Sequence, residues 1–265
     1  MWNTPKSFWS YRGFILGSIK REFQSKYRNS LLGAAWTVLN PLAMIIVYTV
    51  VFSQIMHTKL QPGIDNVFAY SIYLCTGVLA WGLFAEIVGR AQNTFLENAN
   101  LLKKLNFPKL CLPAIVIANA SLNFCIVFGL FSIFLLVSGN FPGMVYLALF
   151  PVLAILIAFA IGLGISIGVL NVFFRDIGQF FGIAMQFWFW LTPIVYPLSI
   201  LPESVRSLMI YNPMASLMIA CQNIFVTRQW PVWQSLLPVI TLAVATCALG
   251  MYLFHKHASE MVDEL

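Results

Sequence analysis

Residues 144–174 read MVYLALFPVLAILIAFAIGLGISIGVLNVFF, and this stretch decides the fold class of the chain. It contains no Asp, Glu, Lys or Arg. A helix needs about 20 apolar residues to cross the roughly 30 Å of hydrocarbon in a bilayer. The stretch is longer than that, so it predicts a membrane-crossing helix whose C-terminal end projects beyond the hydrocarbon. Five further runs lack the same four residue types: 34–56, 67–85, 110–137, 177–201 and 232–254.

The composition of the 265-residue chain agrees with a membrane protein, since 60% of its residues are hydrophobic and 9% are charged. A soluble domain carries about 25% charged residues. The longest segment outside the apolar runs is 1–33, which is too short for a core of its own. We therefore predict an all-α, polytopic membrane protein with one transmembrane domain at 34–254. Its six transmembrane helices lie at approximately 34–56, 67–90, 110–137, 144–174, 177–197 and 232–254.

The basic residues predict the orientation of these spans. The net charge is +6, and all of the 15 Lys and Arg residues except Lys59, Arg206 and Arg228 flank one side of the predicted spans. Cytoplasmic connections carry the excess of Lys and Arg in membrane proteins. Both termini, including the tail 255–265, are therefore expected in the cytoplasm. A basic N-terminus also suits nucleic-acid binding, but a basic segment directly before a span is what topology demands, so we expect no nucleic-acid partner.

The N-terminal segment has the periodicity of an amphipathic helix. Apolar residues recur every three or four positions from Phe8 to Leu31, and most basic residues lie on the opposite face. Such a helix suits the plane of the membrane interface, where it contacts lipid headgroups. The alternative is a basic flank without regular structure. The periodicity covers about six turns, so we favour the interfacial helix for residues 1–33.

The end of the second span and the connection after it contain local signals. Glu86 and Arg90 are four residues apart, which allows an ion pair on one helical face. Thr94 and Glu97 have capping-box spacing, which predicts the start of a short cytoplasmic helix. Such a helix suits either docking of a partner or contact with lipid headgroups, and the sequence leaves both open. Its apolar and basic residues are Leu96, Leu101, Leu102, Lys103, Lys104 and Leu105.

Small residues in the fourth span predict close helix packing. Gly164 and Gly168 have GxxxG spacing, and Gly162 lies nearby. Glycine lets the backbones of two membrane helices approach closely. The motif does not identify the partner helix.

Residues 207–227 are also uncharged and long enough to cross a membrane. A seventh span here would place the C-terminus outside. The segment contains polar residues such as Asn212 and Gln222, and prolines interrupt the stretch before it. Irregular backbone at membrane depth is tolerated where it packs on protein or lines a cavity. We therefore predict two short helices that form a re-entrant outer hairpin between spans five and six.

The sequence lacks the motifs of the common membrane enzymes. It contains no HExxH and no GxxxxGK[ST] loop, so we expect no catalytic residue, no metal ligand and no cofactor in this chain. What remains are the aromatic residues of the fifth span. These suit an interfacial aromatic belt or the lining of a conduit for sugar rings. The candidates for the lining are Phe187, Trp188, Trp190 and Tyr196.

Several motifs, in this order, resemble those of one transporter family. They are KYRNSLLGAAW at 26–36 followed by Asn40 and Pro41, LLKKLNFP at 101–108, FFRDI at 173–177, FWFWLTPIVYP at 187–197 and YNPM at 211–214. The chain is similar to permeases of polysaccharide-type ABC exporters (the ABC type-2 family). It resembles most the Wzm-type permeases that export lipid-linked O-antigen. Capsule and teichoic-acid exporters share the pattern.

The resemblance implies a homodimer of six-span permeases in the bacterial inner membrane, served by two copies of a separate P-loop ATPase that holds ATP and Mg. The substrate would be an undecaprenyl-diphosphate-linked polysaccharide moving from cytoplasm to periplasm. The helix around 96–105 would couple to the ATPase, and 206–227 would form an outer gate. The alternatives are another glycan, or a small hydrophobic drug or lipid. The residues implied to meet the lipid diphosphate at the interface are Lys20, Arg21, Lys26 and Arg28.

Overall fold

The computed structural model describes residues 12–27, 33–51, 68–104, 111–258 and 260–264, and every regular element in these ranges is helical. The all-α class is therefore confirmed. The α-helices are α1 (Arg12–Tyr27), α2 (Trp36–Thr49), α3 (Ala69–Glu97), α4 (Ala99–Lys104), α5 (Cys111–Val137), α6 (Leu149–Phe173), α7 (Asp176–Trp190), α8 (Glu203–Leu208), α9 (Pro213–Val226), α10 (Trp233–His257) and α11 (Glu260–Glu264). Short 3-10 turns occupy Gly33–Ala35, Gly143–Ala148, Leu198–Ile200 and Met209–Tyr211.

Four helices in the described ranges are long and apolar enough to cross a membrane: α3, α5, α6 together with its preceding 3-10 turn, and α10. Helix α8 with its 3-10 turn and helix α9 pass the same criteria as a pair, but the pair is bent by 101°. Helix α2 contributes a shorter apolar helix, Val38–Thr49, and residues 52–56 of the predicted first span lie outside the described ranges. The chain is a multi-pass membrane protein.

Helix α6 lies at the centre of the bundle, between α3 and α10. Its GxxxG residues face α3. A Cβ atom added to Gly164 would lie 2.5 Å from the Cβ atom of Ala91, and one added to Gly168 would lie 2.7 Å from the Ala91 carbonyl oxygen. The prediction of tight packing is confirmed, and the partner that the motif alone left open is α3.

The opposite side of α6 makes an equally close contact with α10. A Cβ atom on Gly162 would lie 2.5 Å from the backbone nitrogen of Cys247, and one on Gly250 would lie 2.9 Å from the Gly162 carbonyl oxygen. Two glycines on facing helices therefore allow the backbones to touch, as expected for small residues at helix contacts in membranes.

Helix α3 continues to Glu97, beyond the predicted span end at residue 90, and the capping-box prediction is wrong. Thr94 lies buried in the last turn of α3, and the Asn98 side chain donates to the Thr94 carbonyl oxygen over 2.8 Å. The helix continues because its end packs on its neighbours. Ala91 and Phe95 are fully buried, and the Phe95 ring stacks on Phe254 with 5.6 Å between ring centroids.

Helix α7 ends at Trp190, whereas the sequence predicted a fifth span to residue 197. The chain turns at Thr192 and Pro193, because proline lacks a backbone N–H and disfavours helical geometry in the residue before it. None of the residues of α7 is fully buried. This helix therefore lies at the edge of the bundle.

Candidate functional site

The first candidate feature is an apolar stripe on the exposed face of α7, formed by Phe180, Ile183, Phe187 and Trp190. These side chains are 72%, 56%, 67% and 64% exposed. Their spacing of three, four and three residues places them along one side of the helix. Two of the predicted lining aromatics, Phe187 and Trp190, therefore belong to this stripe, which we call the α7 stripe.

The other two predicted lining aromatics, Trp188 and Tyr196, are partly buried. The Trp188 ring packs edge-on against Trp81, Phe84 and Phe159, with centroid distances of 6.2, 5.5 and 6.2 Å. The Tyr196 hydroxyl donates to the Trp190 carbonyl oxygen over 2.8 Å. The structure thus separates the four aromatics into an exposed pair and a partly buried pair.

The turn after α7 is held by side chains from distant helices. The Tyr73 hydroxyl of α3 lies 3.0 Å from the Pro193 carbonyl oxygen and 2.9 Å from that of Tyr196. Gln222 of α9 donates its side-chain N–H to the Pro193 carbonyl oxygen over 3.1 Å. The Tyr70 hydroxyl donates to the Val195 carbonyl oxygen over 2.6 Å. Side chains therefore supply the hydrogen bonds that the broken helix lacks, as a buried irregular backbone requires.

Glycine makes room for this turn. A Cβ atom on Gly77 of α3 would lie 2.9 Å from the Gln222 Nε2 atom and 3.2 Å from the Ile194 carbonyl oxygen. Ile194 is fully buried against α3 as a result. We refer to the hydrogen bonds of Tyr70, Tyr73 and Gln222 to this turn as the turn clamp.

Asn212 joins the bent pair to α7. Its Oδ1 atom caps α9 by accepting from the Met214 N–H over 3.1 Å, and it also accepts from the Trp188 indole N–H over 2.9 Å. Its Nδ2 atom donates to the Leu191 carbonyl oxygen and to the Thr192 hydroxyl oxygen, each over 3.1 Å. The bend between α8 and α9 is thereby fixed to the C-terminal end of α7.

A groove of about 680 Å³ opens between α8, α9 and α10. Apolar side chains form most of its wall, and polar groups include Glu203, Arg206, Asn223 and Ser235. The groove separates the short helix α8 from the body of the bundle.

The opposite end of the bundle carries a polar cluster. The predicted pair of Glu86 and Arg90 is confirmed, with 3.3 Å between Oε1 and Nη1. Arg90 also forms an ion pair with Glu22 of α1. Two amides of α5 complete the cluster, since Asn123 donates to Glu86 over 2.7 Å and Asn119 donates to Glu22. Helix α1 is therefore attached to α3 and α5 at this end.

The predicted partner-docking residues divide into packed and exposed groups. Leu102 is 7% exposed and belongs to the hydrophobic core, and Leu96 and Leu101 are half-buried. Lys103 is exposed, and so is Asn100. The side chain of Lys104 and all of Leu105 lie outside the described part of the chain. The leucines of α4 therefore fix this helix to the bundle, and its polar side faces outward.

Three of the four predicted diphosphate-contacting residues, Lys20, Arg21 and Lys26, lie on α1. Lys20 and Arg21 are exposed, whereas the Lys26 side chain and the whole of Arg28 lie outside the described residues. Arg21 donates to the Ser18 hydroxyl oxygen over 3.0 Å. It also lines a cavity of about 420 Å³ between α1, α3, α4 and α5, together with Glu97 and Leu101.

Comparison with known proteins gives this geometry its context. The sequence pattern of the ABC-2 type transporter matches residues 15–226, which run from α1 to the end of α9. The chain belongs to the ABC-2 type transporter family. It is 30% identical over 263 residues to an O-antigen export system permease protein RfbA of Myxococcus xanthus, covering 98% of both chains. It is 29% identical over 206 residues to an RfbA of Klebsiella pneumoniae, covering 77% of both.

A polysialic acid transport protein, KpsM of Escherichia coli, is 23% identical over 198 residues, with coverage of 73% of this chain and 74% of the relative. The ABC-2 pattern ends before α10, but the Myxococcus xanthus relative aligns with nearly all of this chain. The glycine contact between α6 and α10 therefore lies within the region that this ABC-2 transporter shares with that relative.

Sequence reasoning missed several interhelical residues of this ABC-2 transporter. Asn119, Asn123 and Asn171 lie inside runs that were identified only by their lack of charged residues, and amides are uncharged. It also passed over the hydroxyls of Tyr70 and Tyr73. The signal that was present is polarity itself, since a polar side chain in a membrane helix normally finds a partner on a neighbouring helix.

Proposed function

We propose that this ABC-2 transporter is the permease subunit of an exporter that moves a lipid-linked, O-antigen-like polysaccharide from the cytoplasm to the periplasm across the bacterial inner membrane. The observation that carries the proposal is the nearly full-length similarity to an O-antigen export permease. The similarity to a polysialic acid transport protein favours a polymeric glycan as substrate. A capsule-type or teichoic-acid glycan is therefore the second candidate.

The proposed topology has six spans with both termini in the cytoplasm. The four long helices supply four of them, and α2 and α7 supply the first and the fifth. The bent pair α8–α9 is a re-entrant hairpin on the periplasmic side. The turn clamp supports this assignment, since it gives hydrogen-bond partners to an irregular backbone that would otherwise be unsatisfied in hydrocarbon.

The proposed conduit forms between two copies of the permease, with the α7 stripe of each copy at its wall. Helix α7 has no fully buried residue in the single subunit, and its exposed face is aromatic. A helix at the edge of a bundle with such a face suits contact with a second copy and with sugar rings. Aromatic faces offer apolar contact to sugar rings without requiring a charged group on the sugar.

The proposed energy source is a pair of separate P-loop ATPase subunits that hold ATP and Mg. Helix α4 supports docking because Leu102 anchors it to the bundle while Asn100 and Lys103 remain exposed one turn apart. A fixed helix with an outward polar side transmits force from a partner to the spans. Lys20, Arg21, Lys26 and Arg28 would meet the lipid diphosphate at the same membrane surface.

Replacing Lys103 with glutamate is expected to lower ATP-driven glycan export by about three- to tenfold, because a charge reversal at an interface rim weakens association. The measurement is surface glycan per assembled complex, together with the amount of ATPase that copurifies. Lys256→Glu is the matched control, since Lys256 is also exposed but lies at the end of α10. Equal effects of both variants would contradict docking on α4.

Deleting the gene tests the substrate class. Loss of surface glycan, with lipid-linked glycan retained in the cytoplasm, is the expected result. Restoration by the intact gene controls for effects on neighbouring genes. Unchanged surface glycan with altered sensitivity to hydrophobic drugs would instead identify a small hydrophobic substrate and refute the proposal.

A further inference from the structure

Asn171 in the last turn of α6 joins three helices through its side-chain amide. It is 2% exposed. Its Nδ2 atom donates to the Gln92 carbonyl oxygen of α3 over 3.1 Å and lies 3.3 Å from the Asn93 Oδ1 atom. Its Oδ1 atom accepts from the backbone N–H of Gly178 in α7 over 3.0 Å. Both ends of the amide are therefore used, one toward α3 and the other toward α7.

Gly178 lets α7 approach this amide. A Cβ atom on Gly178 would lie 2.7 Å from the Asn171 Oδ1 atom and 2.9 Å from its Nδ2 atom. Any larger residue would push the first turn of α7 away from α6 or displace the amide. The contact is thus built from a matched pair, a buried amide and a glycine that receives it.

The α3 residues that the amide contacts precede the short helix α4 in the chain. Asn93 and Ala99 are six residues apart, and α3 ends between them at Glu97. The end of α3 packs on α6, because Phe95 is fully buried and lies against Gly168. The short helix α4 and the residues that contact Asn171 are therefore joined by a packed segment of α3.

Between its two ends, helix α7 contacts the core through Phe181 and Met185, which are only partly buried. It has no fully buried residue, and its side-chain hydrogen bonds to other helices lie at the Asn171 end and at the Trp188–Asn212 end. Hydrogen bonds to neighbouring elements therefore fix its two ends. Its exposed face is the α7 stripe.

We propose that Asn171 is a positioning residue that passes a movement of α4 and the end of α3 to α7. This inference rests on the proposed function, in which an ATPase acts on α4 and the α7 stripe borders the conduit. Asn171 contacts neither nucleotide nor glycan in this account. It links the end of α3, next to the proposed ATPase-docking helix α4, to α7, whose stripe borders the proposed conduit.

The experiment measures nucleotide-dependent movement of α7 in the assembled permease–ATPase complex. The exposed Cys125 is first replaced by serine. An Ile183→Cys substitution in this background then reports the accessibility of the α7 stripe to a maleimide. In the parent complex, ATP is expected to change the labelling rate. In Asn171→Ala the change is expected to shrink by roughly 2- to 30-fold, with ATP hydrolysis within about twofold of the parent.

Ser166→Ala is the matched control, because Ser166 is a buried polar residue of α6 whose hydroxyl donates to the Gly162 carbonyl oxygen of its own helix. This control is expected to keep the ATP response. Gly178→Ala is expected to reproduce the effect of Asn171→Ala from the other side of the contact.

A full ATP response in Asn171→Ala, or equal losses in Asn171→Ala and Ser166→Ala, would overturn the inference alone. An ATP response missing from the parent would overturn both the inference and the proposed ATPase coupling.

Discussion

Replacing Gly162 with leucine is expected to prevent accumulation of folded protein. The first atom of any side chain there would lie 2.5 Å from the Cys247 nitrogen and 2.8 Å from the Thr246 carbonyl carbon, both of them backbone atoms of α10. Backbone cannot rotate aside as a side chain does, so α6 and α10 must separate. Overpacking already costs about 1–3 kcal/mol for a few extra methylenes, and separation of two central helices costs more.

The measurement is the amount and thermal midpoint of monodisperse protein extracted from membranes. Gly129→Leu is the matched control, because Gly129 is also helical and a Cβ atom there meets nothing within 4 Å. The control is expected to accumulate like the parent. Gly162→Ala is expected to fall between the two, with a lowered thermal midpoint. Equal accumulation of Gly162→Leu and Gly129→Leu would show that α6 and α10 do not pack as described.

The double variant Tyr73→Phe with Gln222→Leu is expected to unfold at a clearly lower temperature and to lose export. It removes the side-chain donors to the carbonyl oxygens of Pro193 and Tyr196, which lie in a turn buried against α3. A buried carbonyl left without a partner costs about 1–3 kcal/mol. Two such groups, together with release of the turn that follows the α7 stripe, predict a loss larger than that of either single variant.

Thermal melting of the purified protein and glycan export per folded molecule are the two readouts. Tyr252→Phe is the matched control, since Tyr252 is 60% exposed on α10. It removes one hydroxyl without touching the turn clamp and is expected to behave like the parent. A double variant that melts and exports like Tyr252→Phe would contradict the role given to these hydrogen bonds.

The spans could be predicted because they depend only on the length and composition of consecutive residues. A run without charged residues must be helical in a bilayer and about 20 residues long, and this alone located α3, α5, α6 and α10. The spacing of Glu86 and Arg90 fixed their ion pair in the same way, because helical geometry places them together. Gly164 and Gly168 indicated a close contact, although they did not identify α3 as the partner.

What remained unpredictable depends on how each helix is rotated. A helix that is apolar all round gives no signal of its buried side. The sequence around Trp188 and Trp190 therefore does not distinguish their environments. Trp188 packs against Trp81, whereas Trp190 is exposed. Thr94 has the spacing of a helix cap, but the packing of Phe95 carries α3 past it. In each case tertiary contact overrides the local pattern.

The buried hydrogen bonds escaped prediction for a related reason. Asn171, Tyr73 and Gln222 find partners 79, 120 and 29 residues away in the chain. No spacing rule connects such residues before the bundle is assembled. Their polarity in apolar helices was the available signal, and it marks an interhelical contact without naming the partner.

The most direct test of the proposed function is glycan translocation in proteoliposomes that contain the purified permease, with and without its ATPase subunits. Lipid-linked glycan is supplied on the ATPase side, and its appearance on the far side is followed by a glycan-binding probe that cannot cross the membrane. We predict ATP-dependent translocation by the complex, and neither ATP hydrolysis nor translocation by the permease alone. Translocation by the permease alone, or a complex that hydrolyses ATP without moving glycan, would contradict the account.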